Sequence, residues 1–243
     1  MIRKFIPFLF IFALTFVAGC ESANKILGSM TSSTSGVPTN TEVVGGLKQA
    51  LEKGIGESAG RLSLKDGYFR NNAIKVLFPP EAQRIENTLR DIGMGNMVDN
   101  AIESFNRGAE RAAKEAVPIF VNAIKSMTIN DAMNILLGAD NSASNYLKAS
   151  TFSQLEKTYM PIVEKSLNEV NATKYWSDVI TRYNQIPLVQ KQNPDLTSYV
   201  TERALDGLFY MVEREEAKIR QNVSVRNTDL LKKVFGYADS QRN

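Results

Sequence analysis

Apolar residues recur at helical spacing along almost the whole chain after Thr41, and this periodicity restricts the fold more than any other feature. A first helix is predicted over 42–60, and its stripe has a member at every fourth position: Val43, Leu47, Leu51 and Ile55. No segment alternates between apolar and polar residues for long enough to predict a strand. We therefore predict an all-α fold, a single compact domain of about nine or ten helices, with at most a minor extended or strand segment near 73–78.

Three of the predicted helices carry patterns with specific consequences. The first contains five glycines, each unfavourable inside a helix, so its order must come from packing, and the close approach of another backbone is one explanation. A helix predicted over 96–116 has apolar residues at alternating spacings of four and three, which favours a packed helix pair. A short helix ending near Ile92 is predicted to bury a stripe made of Ile85, Leu89 and Ile92.

A long helix predicted over 195–221 carries one carboxylate within its apolar stripe. This is Glu215, and the residues four before and four after it are both apolar. A carboxylate that faces a core is unfavourable unless it is paired. Neither Arg214 nor Arg220 lies on the same face, so we expect the partner on another helix. A structural ion pair is the first interpretation of Glu215, and a functional carboxylate is the alternative.

The N-terminus has the pattern of an export signal. Arg3 and Lys4 precede an apolar run over 5–17, and small residues follow it. A run of thirteen residues is too short to cross a bilayer, which takes about 20 apolar residues. The run ends in Val17-Ala18-Gly19-Cys20, which resembles the bacterial lipobox and contains the chain's single cysteine.

The lipobox resemblance implies that Cys20 receives a diacylglyceryl group on its sulfur and that the chain is cut before it. The new amino group is usually acylated as well. An ordinary cleavage site with a chance cysteine is the alternative. Glu21 follows the cysteine where inner-membrane lipoproteins of enteric bacteria tend to have aspartate. We therefore expect a lipid-anchored protein of the bacterial cell envelope, at the periplasmic face of the outer membrane.

These signals divide the chain into three parts and limit its partners. Residues 1–19 are the signal peptide, 20–41 are the acylated cysteine with a flexible tether, and 42–243 are the helical domain. Removal of Arg3 and Lys4 with the signal peptide lowers the formal charge from +3 to +1. The membrane, reached through acyl chains, is therefore the expected partner, and nucleic acid is not.

The residue types available restrict the chemistry of the domain. There is no histidine, and the only thiol is the one expected to carry lipid, so schemes that need a Ser-His-Asp or Cys-His arrangement are excluded. We name no catalytic residue and expect no metal and no cofactor. Residues 140–145, DNSASN, resemble a calcium loop in part but lack its glycine and its final glutamate, so the start of a helix is the better interpretation.

Many blocks of the mature chain, in order, are similar to the family called domain of unknown function 4197. They include GLKQALEKGI, LSLKDGYFRNNAIKVLFP, LRDIGMG, AIKSMTINDAMNILLG and YVTERALDGLFYMVEREEAKIR, and the resemblance covers roughly 45–236. It implies exported bacterial proteins that are mainly helical and often carry lipoprotein signals. The family usually has Asn-Pro where this chain has Asn72-Ala73, which makes that turn less rigid here. No activity comes with the resemblance.

Two hypotheses for function remain, and the first is favoured because no catalytic residue can be named. In the first, a non-enzymatic binding or structural module of the envelope holds a lipid, a peptide or an envelope protein in a groove between helices. In the second, an envelope hydrolase uses carboxylates on peptidoglycan. A deep apolar tunnel would favour the first, and two carboxylates facing each other in a wet cleft would favour the second.

Overall fold

Nine α-helices form within the described part of the chain, which a computed structural model gives as residues 36–185, 188, 191, 193 and 195–242. They are α1 (Asn40–Leu62), α2 (Gln83–Asp91), α3 (Gly95–Ala113), α4 (Ala116–Ser126), α5 (Ile129–Leu137), α6 (Ser142–Asn168), α7 (Ala172–Tyr183), α8 (Leu196–Gln221) and α9 (Asp229–Arg242). Short 3₁₀ turns occupy Pro80–Ala82 and Val223–Val225. No strand forms in these ranges, so the all-α prediction is confirmed. None of their helices is both long and apolar enough to cross a membrane.

The core is built from two clusters of buried side chains. The larger one joins α1, the end of α3, α4, α5, α6, α8 and α9, and the predicted stripe of α1 lies within it. The smaller one joins α3, α7, the second half of α6 and the start of α8, together with Val76 and Phe78 from the connection before α2. Both clusters belong to one compact unit that begins at Val37.

Helix α1 begins with a capping box that ties it to the far end of the chain. The Glu42 backbone N–H donates to Thr39 Oγ1, and the Thr39 N–H donates to the Glu42 carboxylate at 2.8 Å. Lys233 of α9 also donates to that carboxylate, at 2.8 Å. The bond from Lys233, followed by the one from the Thr39 backbone, lowers the pKa of Glu42 to about 2. Glu42 therefore stays ionised well below neutral pH and links the first helix to the last.

The predicted helix pair is confirmed as α3 packed on α6. All six apolar positions of the α3 pattern are buried: Val98, Ile102, Phe105, Ala109, Ala112 and Ala116. The last of them belongs to α4, because the single helix predicted over 96–116 breaks after Ala113. Gly108 lies at the crossing, where an added Cβ would come within 3.3 Å of the Val163 backbone. Small residues on α3 are what let the two helices approach.

The nearest neighbour is not a backbone atom at any of the five glycines of α1, so the close approach of another backbone does not explain them, but one of them is required by close packing. A Cβ at Gly46 would lie 2.8 Å from a methyl carbon of Val234, a fully buried residue of α9. The neighbour is thus a side chain, not the backbone we considered. At Gly56 and Gly60 an added Cβ would meet nothing within 4 Å. Only Gly46 is required by the packing of α1 against α9.

Alanine at Gly46 and alanine at Gly56 are expected to have opposite effects on stability. Gly46→Ala should lower the free energy of unfolding by about 1–2 kcal/mol, because overpacking against Val234 exceeds the gain in helix propensity. Gly56→Ala is its matched control in the same helix and should raise it by about 0.5–1 kcal/mol. Urea unfolding followed by circular dichroism measures both, and equal stabilisation would contradict the packing assigned to Gly46.

Candidate functional site

An apolar pocket opens between α2, α3 and α7. It encloses about 160 Å³. Its walls consist almost entirely of carbon and are formed by Phe78, Ile85, Leu89, Met94, Met97, Val98, Ala101, Phe105, Val170, Ala172, Tyr175, Trp176 and Leu196. Val170 and Tyr175 are exposed and mark the mouth. Such a lining attracts hydrocarbon and offers no group for acid–base chemistry near neutral pH.

Aromatic side chains form the rigid wall of the pocket. Phe78 meets Phe105 edge to face, with ring centroids 5.3 Å apart, and its centroid lies 5.9 Å from that of Trp176. Pro79 follows Phe78 and restricts it to extended backbone. The Trp176 indole N–H donates to the Asn193 carbonyl at 3.3 Å, which fixes one edge of the ring. The wall is therefore held from both α3 and α7.

Helix α2 covers the pocket without being part of the core. None of its residues is buried, although its apolar and polar residues lie on opposite faces of the helix. Ile85 and Leu89 are half-buried and point at the pocket, whereas Ile92 is 64% exposed. The prediction of a buried stripe on this helix is therefore wrong: it covers an open cavity, which leaves its apolar face partly in contact with solvent.

The connection after α2 shows how the cover is attached. Gly93 has a φ of +85°, a left-handed conformation that favours glycine. Arg90 ties α2 to α3 through Asp99 at 2.9 Å and also pairs with Glu86 on its own helix. The hydrogen bonds that Arg90 donates to Asp99, and next to Glu86, raise the pKa of Arg90. One glycine turn and one exposed ion pair therefore connect α2 to the next helix.

The structure places the predicted carboxylate Glu215 away from this pocket, in the contact between α8 and α1. Its side chain is 9% exposed and lies 3.2 Å from Arg61 of α1, so the expected partner from another helix is present. Lys218, three residues along α8, adds a second contact at 3.2 Å and also approaches Glu57 at 3.7 Å. These contacts match the structural interpretation of Glu215. The other predicted site residue, Cys20, lies outside the described residues.

Sequence reasoning missed Glu216, which is the buried carboxylate of α8. It accepts hydrogen bonds from the backbone N–H groups of Ala143 and Ser144 at 2.9 and 2.8 Å, and from the Ser144 hydroxyl at 2.8 Å. Arg220 completes the pair at 2.8 Å and donates to the carbonyls of Ile135 and Leu136. Glu216 thus caps α6, whose own N-cap side chain makes no capping bond. The spacing of four between Glu216 and Arg220 was the available signal.

Residues 140–145, weighed earlier as a partial calcium loop, lie beside that cap. Asp140 pairs with Arg242 of α9 at 2.6 Å, and this hydrogen bond is the main reason why the pKa of the Asp140 carboxyl is lowered. Ser144 is held by Glu216, and α6 starts at Ser142. Among the described residues, no group of three acidic, histidine or cysteine side chains is placed to hold a metal ion. The segment is the start of a helix, as the favoured interpretation stated.

Comparison with known proteins assigns the chain to a family but not to an activity. No curated protein and no solved structure is significantly similar to it. The sequence model of one family, described as "Protein of unknown function (DUF4197)", matches residues 37–236. The match includes α1 to α8 and most of α9, and therefore the entire pocket. The chain belongs to the DUF4197 family of proteins of unknown function.

Proposed function

We propose that this protein is a non-enzymatic binding module of the bacterial cell envelope that holds the hydrocarbon chain of a lipid in the pocket beneath α2. The observation that carries the proposal is an apolar cavity of about 160 Å³ under a helix with no buried residue. Acyl chains on Cys20 would hold the module at the periplasmic face of the outer membrane, where lipid is the abundant apolar ligand. The pocket would then bind the same class of molecule, lipid, into which the acyl chains of the anchor insert.

The volume of the cavity limits what can enter. An engineered cavity of about 150 Å³ with similar apolar walls takes up one benzene molecule, so this pocket has room for about six carbon atoms. A longer chain would place its end inside and pass out by Val170 and Tyr175. The two methionines of the lining, Met94 and Met97, are flexible enough to adapt to it. The pocket therefore suits the end of an acyl chain, with the polar headgroup left outside.

The alternative, an envelope hydrolase with two carboxylates, gains no support from Glu215 and Glu216. Glu215 is paired with Arg61 and Lys218. Glu216 caps α6 and pairs with Arg220. Both side chains stabilise contacts between helices, and neither lines the apolar pocket. We therefore propose binding alone for this site.

Trp176 offers a direct test, because it is the only tryptophan in the chain and it lines the pocket. A fatty acid brominated near its methyl end should quench Trp176 fluorescence saturably, since bromine quenches on contact. The same acid brominated near its carboxyl group should quench less. Absence of saturable quenching by either acid would contradict the proposal.

A filled pocket is the matched variant. Ala101→Leu adds three carbon atoms to the wall and should weaken fatty-acid binding about 10- to 100-fold, at about 0.8 kcal/mol for each displaced CH₂. Ala217→Leu makes the same change on α8, outside the lining, and should bind like the wild type. Circular dichroism confirms that both variants are folded. Equal affinity in the two variants would place the fatty acid elsewhere.

A further inference from the structure

The extended connection before α2 is fixed mainly by one buried side chain. Residues 75–79 form neither helix nor turn. The Val76 N–H donates to Asn106 Oδ1 at 2.9 Å, and Asn106 Nδ2 donates back to the Val76 carbonyl at 2.9 Å. The buried Asn106 amide thus pairs with Val76 as a neighbouring strand would. Val76 and Phe78 point inward, while Leu77 between them is 47% exposed.

The opposite edge of this segment retains backbone groups for a partner. Backbone groups of successive residues in an extended chain point to opposite sides, so those of Leu77 face away from Asn106. The Leu77 carbonyl indeed accepts from the Tyr199 hydroxyl of α8, at 3.3 Å. The Leu77 N–H and the Lys75 carbonyl make no hydrogen bond with any residue in the described ranges. A donor and an acceptor, two residues apart, are therefore available on one edge.

This edge borders a groove large enough for a short segment of chain. The groove has a volume of about 490 Å³ and lies between residues 73–80 and one face of α8. Tyr210 is 39% exposed on the far wall and Leu77 is 47% exposed on the near wall. The charges of the far wall satisfy one another, because Arg203 pairs with Asp206 at 2.8 Å. Lys75, the remaining charged side chain of the lining, lies over the Phe69 ring, 4.3 Å from its centroid. The walls therefore favour a ligand with apolar side chains and no net charge.

We propose that this groove binds an uncharged peptide in extended conformation, which adds to the edge of residues 75–79 as a second strand. Backbone pairing supplies the directional part of the interaction, and the exposed Leu77 and Tyr210 contact alternate side chains of the peptide. A hydrocarbon chain could not satisfy the Leu77 N–H, whereas a peptide carbonyl can. Phe78 lines both the apolar pocket and the groove, whereas Leu77 lines only the groove, so the two sites share this segment.

The test uses a pair of substitutions at Leu77 in the full-length protein. Leu77→Pro removes the N–H, and Leu77→Ala removes the side chain but keeps the N–H. Leu77 is exposed and its backbone is extended, so both variants should fold, as circular dichroism would verify. The probes are fluorescein-labelled octapeptides that alternate threonine with valine or tyrosine, and fluorescence polarisation measures their binding.

The expected result is that at least one octapeptide binds and that Leu77→Pro binds it about tenfold or more weakly than Leu77→Ala does. N-methylation of alternate peptide amides should weaken binding similarly, and the peptide should slow hydrogen exchange at the Leu77 amide. The proposal is overturned if no octapeptide binds at about 1 mM or if the two variants bind alike. Fatty-acid binding is measured separately, so failure here leaves the lipid proposal standing, and the converse also holds.

Discussion

Glu216→Ala is expected to lower the free energy of unfolding by about 3–5 kcal/mol, the largest change we expect from any single substitution in the helical domain. The Glu216 and Arg220 side chains are 3% and 2% exposed. Removal of the carboxylate leaves the buried guanidinium of Arg220 without its counter-charge. It also leaves the N–H groups of Ala143 and Ser144 without their acceptor at the start of α6. Urea unfolding of the variant and of the wild type measures the loss.

The adjacent residue is the control. Glu215→Ala should lower the free energy of unfolding by about 1 kcal/mol or less. Its partners Arg61 and Lys218 are 55% and 42% exposed, so water solvates their charges when the carboxylate is removed. Glu216→Gln keeps an acceptor for α6 but loses the charge, so its stability should lie between those of the wild type and Glu216→Ala. Similar losses at Glu215 and Glu216 would show that the burial of Glu216 does not determine its contribution.

Cys20→Ser is expected to release the protein from the membrane fraction. Stable anchoring takes two acyl chains, each contributing about 0.8 kcal/mol per buried CH₂, and the formal charge of the mature chain, +1, is too small to hold it at a lipid surface. Cell fractionation and metabolic labelling with radioactive palmitate measure the two consequences. The label should be present in the wild type and absent in the variant.

Two further variants make this result specific. Ser22→Ala changes a residue near the expected lipidation site without removing the thiol, and it should stay with the membrane. A chain whose residues 1–20 are replaced by an ordinary cleaved secretion signal should appear in the soluble periplasmic fraction. If the Cys20→Ser protein remains with the membrane after its signal peptide has been removed, another contact is the anchor.

Helix α8 shows how far periodicity predicts a buried face. The sequence predicts an apolar stripe of Val200, Ala204, Leu208, Met211 and Ile219 on this helix. The stripe begins correctly, since its first three members are all buried. The prediction then takes a step of three and reaches Glu215, while the structure continues in steps of four through Val212 to Glu216. Each step of four rotates the buried face by about 40°, because a turn holds 3.6 residues. Which helices pack against α8 along its length decides which of its residues are buried, and the residue pattern of α8 alone does not show this.

The pocket and the groove were beyond sequence reasoning for a different reason. An apolar stripe predicts burial, but the stripe of α2 covers a cavity that other helices define, so Ile85 and Leu89 are only half-buried. Residues 73–78 were expected to be extended, and they are for the most part. Their partner is the side chain of Asn106, 30 residues from Val76, and no local pattern identifies it. Local patterns thus predict elements, and the sites lie where those elements leave gaps.

The contact between α1 and α9 determines when the domain can finish folding. Glu42 and Lys233 are 191 residues apart, and Val234 fills the space that Gly46 leaves. The first helix therefore cannot complete its packing until the last has been synthesised, and closing so long a loop slows folding. A chain that crosses a membrane before it folds would benefit from this delay. The contact between the two ends of the domain thus makes the final packing of α1 a late step in folding.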